Sequence, residues 1–77
     1  MLQLNHLARI TYSKDIFNGK PIIRGMRIRV QDLLELLGSG MSESEILNDF
    51  PYLELEDIKA CLQYAARKIS HPVIQVS

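Results

Sequence analysis

Along residues 26–30, apolar and cationic side chains alternate without a break: Met26, Ile28 and Val30 against Arg27 and Arg29. Period two predicts a half-buried strand, one face in a core and the other on water or a partner. Upstream, Arg9–Tyr12 is β-branched and aromatic and predicts another short strand. Ser13–Gly19 reads as a loop with room for one helical turn. Pro21–Ile23 and Arg27–Val30 read as extended pieces around an Arg24-Gly25 turn. Residues 1–8 read as a loose arm.

The spacing becomes helical from Gln31. Leu33, Leu34, Leu36 and Leu37 give a wide apolar face over Gln31–Gly38, and Asp32 falls in the first turn, where it suits the helix dipole. Gly38-Ser39-Gly40 ends that helix. The second helix is announced by a capping box, Ser42-Glu43-Ser44-Glu45, with Met41 and Ile46 as the flanking hydrophobic staple. It runs to about Asp49, because Pro51 disfavours a helical Phe50. The third and longest helix runs from about Leu55 to Ile69. Leu55, Ile58, Leu62, Ala65 and Ile69 step by three and four and predict a single inward stripe. Pro72 stops it, and Val73-Ile74-Gln75-Val76 follows as an apolar, β-branched tail.

These elements predict a mainly α fold: a three-helix helix-turn-helix bundle preceded by a short β element. The reading divides the chain into an arm (1–8), one domain (9–70) and a tail (71–77). At 77 residues the core is small and the monomer thermodynamically marginal, which makes a homodimer the expected state.

Formal net charge is zero but unevenly divided. Residues 1–30 carry six basic side chains against one acidic, a formal +5; residues 31–77 carry three basic against eight acidic, a formal −5. Such a division points to a partner: nucleic acid, a head-to-tail self-contact, or charged proteins on either side. A lone cysteine excludes an internal disulfide framework and agrees with a reducing cytoplasm. No apolar run reaches the length of a membrane span, and Met1–Ile10 lacks the layout of a signal peptide.

Candidate chemistry is that of binding. On the side of the third helix opposite Ile58 lie Glu56, Ala60, Gln63 and Arg67, with Lys59 and Tyr64 at the margins. In a major groove Gln63 could read adenine, Arg67 guanine or phosphate, and Ala60 a thymine methyl. The same stripe also reads as a solvated face. Glu54, Glu56 and Asp57 at the helix start suit the dipole but repel phosphate. Anion contact therefore shifts to Lys20, Arg24, Arg27 and Arg29, which read equally as a solvated edge that discourages aggregation. Gly19-Lys20 lacks the rest of a phosphate-binding loop. Cys61 reads as a buried inert thiol, and His6 and His71 as solvated. Asp15, Asp32 and Asp49 are scattered over separate elements. No nucleophile–base pair or carboxylate dyad is present, so we expect no enzyme, no metal and no cofactor.

Arg9-Ile10, the run Asn18-Gly19-Lys20-Pro21-Ile22-Ile23-Arg24-Gly25-Met26-Arg27-Ile28, the segment Gly40–Leu47, Leu55–Ile58 and Tyr64-Ala65-Ala66 resemble the bacterial family called domain of unknown function 433. The resemblance covers roughly residues 8–66. It implies a homeodomain-like helix-turn-helix and an antitoxin of the VapB kind, paired with a PIN-like ribonuclease toxin and often dimeric on its own promoter. Met26 replaces the family's usual threonine, Arg29 a common proline, and Glu54 a Ser or Thr cap; the last predicts a ragged start to the third helix.

Two functions follow as expectations. One is a cytoplasmic, dimeric antitoxin that represses its own operon: Lys20, Arg24, Arg27, Arg29, Lys59, Gln63 and Arg67 contact DNA, and Pro72, Val73, Ile74 and Val76 hold the toxin as an added strand. The other is a dimerisation or protein-interaction module without a DNA role, its arginine strand facing an acidic partner.

Overall fold

The structure is a computed structural model that describes residues 6–70. A 3₁₀ turn, Leu7–Arg9, leads into strand β1, Ile10–Thr11. A second 3₁₀ turn, Phe17–Gly19, precedes strand β2, Ile22–Ile23. Three helices follow: α1 Val30–Gly38, α2 Glu43–Asp49 and α3 Leu55–Ile69. The protein is mainly α with an amino-terminal β element, as its pattern predicts.

The two strands pair antiparallel, with Ile10 opposite Ile23 and Thr11 opposite Ile22. The alternating segment 26–30 is less regular than its pattern implies. It touches β2 at one isolated bridge, Ile22 with Arg29, and the Ile23 amide donates to the Ile28 carbonyl at 3.2 Å. Its polarity is as read at three positions, Ile28 and Val30 being buried and Arg27 exposed, whereas Met26 and Arg29 are both half-buried. Between the two limbs, the Met26 amide donates to the Ile23 carbonyl across Arg24 and Gly25, both at positive φ (46° and 71°). Glycine adopts that conformation freely; arginine is strained in it and needs an outside reason to stay there.

Helix α1 begins where the carboxylate of Asp32 accepts from the Arg29 amide at 3.1 Å. The capping box of α2 is formed as predicted: the Glu45 amide donates to Ser42 Oγ at 3.1 Å, and the Ser42 amide to Glu45 Oε1 at 2.8 Å. Both strands and all three helices feed one core: Ile10 from β1, Ile23 from β2, Leu33 from α1, Ile46 from α2, and Ile58 and Cys61 from α3. Each large aliphatic side chain buried there contributes about 1.5–3 kcal/mol before entropy is set against it.

Helix α3 departs from its predicted stripe. Ile58 is fully buried, but Leu62 is 46% and Ile69 79% exposed, and Leu55 lies at the surface. Ala60, assigned to the outer face, is fully buried. The helix is rolled so that Asp57, Ala60 and Cys61 point inward with Ile58. A charged residue inside the core has displaced leucines to the surface, which counting apolar positions cannot anticipate.

Candidate binding surface

The reason for that roll lies at the start of α3. Asp57 is fully buried, and its carboxylate is surrounded by donors. Arg24 approaches it bidentately, Nε to Oδ1 at 3.0 Å and Nη2 to Oδ2 at 2.7 Å. Arg9 Nη1 donates to Oδ1 at 2.9 Å and also to Glu54 Oε1 at 2.7 Å. The Glu54 amide donates to Oδ2 at 2.8 Å. Arg24 Nη2 further reaches the Tyr52 carbonyl at 3.0 Å. One carboxylate therefore joins the 3₁₀ turn, the β2 turn and the α2–α3 connection.

Burial pushes the Asp57 carboxyl toward the neutral form, but donation from Arg24, the Glu54 amide and Arg9 outweighs it and holds the pKa below the ordinary range. The strain at Arg24 has its reason here: the left-handed turn aims its guanidinium at Asp57. The expected ragged start of α3 is corrected for the same reason. Glu54 does not cap with its own side chain, but its amide is satisfied by Asp57 three residues on.

This node redistributes the charge read from the sequence. Glu54 and Asp57 are matched by Arg9 and Arg24, so Glu56 alone of the three acidic residues at the start of α3 lacks an ion pair among the described residues. Two of the candidate phosphate clamps are engaged inside the chain. Arg24 holds Asp57. Arg29 bonds Asp32 through Nε at 3.1 Å and Nη2 at 2.8 Å, and its guanidinium lies 5.0 Å over the Phe17 ring. That donation holds the Asp32 carboxyl below its ordinary value.

Lys20, Arg27, Lys59 and Arg67 are exposed. Gln63 is half-buried, and its Oε1 accepts from the His6 amide at 2.9 Å. His6 and the following turn thus lie against α3 instead of standing off as part of an arm. Arg27 borders a cleft of about 490 Å³ between the 26–30 segment, α1 and the α2–α3 connection, with Glu35, Phe50 and Tyr52. Lys59 and Gln63 flank a shallower depression on α3, beside Leu62 and His6. The seven candidate residues therefore do not form one patch. The toxin-binding candidates Pro72, Val73, Ile74 and Val76, and His71, lie outside the described residues.

Cys61 is fully buried, and burial in front of Asp57 pushes its thiol up to about 12, which suits the inert role assigned to it. Among the described residues, no three His, Cys, Asp or Glu side chains converge as a metal site. No described helix is long and apolar enough to cross a membrane.

The sequence reasoning missed the node itself. Arg9, Arg24 and Asp57 are separated by 33 and 48 residues, and no local pattern links them. The available signal was a conflict: an aspartate three residues after a poorly capping Glu54, on the flank of an apolar stripe.

A small, mainly α domain fastened at one end by a buried aspartate, Asp57, held between two partly exposed arginines is the class that the fold and its geometry define. The chain belongs to the family described as protein of unknown function (DUF433), whose model matches residues 10–65. It is similar to the uncharacterized protein y4eO of Sinorhizobium fredii, with 36% identity over 56 residues, covering 73% of this chain. The chain spans 25% of that relative's length. No solved structure matches the chain.

Proposed function

We propose that this chain is a protein-binding module of the antitoxin kind, acting chiefly by holding partner proteins. One observation carries the reading: three large apolar side chains of α3, Leu55, Leu62 and Ile69, lie at the surface around Lys59 and Ala66. A helix that reads DNA presents polar and basic side chains at that position. The internal use of Arg24 and Arg29 supports the same reading, because guanidiniums bound to carboxylates are poor phosphate clamps.

A second reading, the DNA-binding autorepressor, is favoured by one specific observation. Pairing of Glu54 and Asp57 removes most of the negative charge that opposed phosphate at the start of α3, while Lys59, Gln63 and Arg67 line one flank. The two readings separate in a paired assay. Immobilised chain is offered the purified product of the neighbouring gene, and the same protein is titrated on its upstream DNA. A stoichiometric protein complex without a salt-dependent gel shift is the expected result. A shift that weakens steeply with salt, and is lost in Lys59→Glu/Arg67→Glu, would transfer the function to DNA.

A further inference from the structure

We propose that the outward stripe of α3 is a self-association seam, through which two copies pair with their α3 helices antiparallel about a two-fold axis at Leu62. This rests on the protein-binding reading and names a second copy of the chain as one partner. Three observations support it.

The first is spacing. Leu55, Leu62 and Ile69 recur every seven residues, and with Lys59 and Ala66 they form a four-three-four-three ladder along the exposed side. That ladder is the seam of paired helices rather than of an isolated surface helix. It is also symmetric about its middle member. A two-fold through Leu62 sets Leu55 of one copy against Ile69 of the other, and Leu62 against itself, as an isologous contact requires.

The second is charge. The start of α3 keeps Glu56 without an ion pair among the described residues, and its last turn carries Arg67 and Lys68. Antiparallel pairing places Glu56 beside the basic last turn of the other helix, twice by symmetry. Parallel pairing would place Glu56 against Glu56 and Arg67 against Arg67. The helix dipoles favour the antiparallel choice as well.

The third is shape. Leu62 stands at the edge of a depression of about 340 Å³ shared with His6, Lys59 and Gln63. A side chain from an opposing helix can enter it, while the Lys59 stem lies along apolar surface and its ammonium stays in water. Glu56, Leu62 and Arg67 are exposed, so substitutions there leave the core intact.

Sedimentation equilibrium of the full chain tests the seam. Wild type should be a dimer at tens of micromolar. Leu62→Glu places two like charges on the axis and should weaken the dimer roughly 100-fold, with unchanged circular dichroism. Glu56→Arg and Arg67→Glu should each weaken it by roughly fivefold, and the double variant should restore it. Wild type that sediments as a monomer at 200 micromolar would overturn the proposal, as would a Leu62→Glu dimer of full affinity or charge variants without mutual rescue. Capture of the neighbouring gene's product is measured in parallel. A monomeric wild type that still binds that protein refutes the seam while leaving the protein-binding reading intact.

Discussion

Helices α2 and α3 begin in the same way on paper and by different physics. Each has a carboxylate at its third residue that accepts from the amide of the residue before the helix: Glu45 from Ser42, Asp57 from Glu54. At α2 the arrangement is closed within four residues, because the Ser42 hydroxyl answers the Glu45 amide. At α3 the Glu54 side chain accepts from Arg9 and not from the helix amides, and the Asp57 carboxylate is instead buried and shared with Arg9 and Arg24 from the segment before the helices. A local cap organises one turn of helix. A cap routed through distant arginines fastens the helix to the rest of the fold.

Removing the shared carboxylate should have the largest effect. Asp57→Ala strands two guanidiniums and the Glu54 amide, and should cost roughly 3 kcal/mol of unfolding free energy in a urea titration. A loss below about 1 kcal/mol would mean that the arginines simply turn to water and that α3 is held by its apolar contacts alone. The acid limb of stability isolates the same group. Asp57 has a lowered pKa in the folded chain, so the unfolded chain takes up its proton first as pH falls. Its contribution is complete above the ordinary carboxylate value, about pH 4, and is lost as pH drops through the folded value. Asp57→Asn should flatten that limb, and an unchanged slope would assign acid sensitivity to other carboxylates.

Next in size is Arg24→Lys, which keeps the charge but cannot approach Asp57 through two parallel donors. A loss of about 1–2 kcal/mol is expected, reduced from the fully buried case because the Arg24 side chain is 34% exposed. Full retention of stability by the lysine variant would show that charge rather than bidentate geometry holds the node. Ser42→Ala at the local cap should cost about 1 kcal/mol. Glu45→Gln keeps an acceptor for the Ser42 amide and should cost less than about 0.5 kcal/mol. If either local variant matched Asp57→Ala, the contrast between the two helix starts would fail.

The same contrast explains which features were legible. The helices and the α2 box depend on neighbours within a few residues, and their limits fall close to the predicted ones; the turn at Arg24-Gly25 is marked locally by its glycine, but its strained arginine is held by Asp57. The sign of charge at the start of α3 and the side that α3 turns outward were not legible, because both depend on the Arg9 and Arg24 guanidiniums. The reading that placed Ala60 outside and Leu62 inside treated Asp57 as a solvated residue. Once Asp57 is buried, the helix rolls, and the leucine spacing that looked like core becomes a surface stripe. Of the basic residues between Lys20 and Arg29, Arg24 and Arg29 serve the chain's own carboxylates.

The sequence by itself determined the helix boundaries, the α2 cap and the paired extended segments at Ile10–Thr11 and Ile22–Ile23. Each follows from backbone propensity, capping or hydrophobicity acting over a few residues. Only the tertiary structure decided the partners of the arginines and the face that α3 presents. A buried carboxylate needs its arginines brought to it across 33 and 48 residues of chain, and its desolvation is offset only when the whole fold sets the geometry.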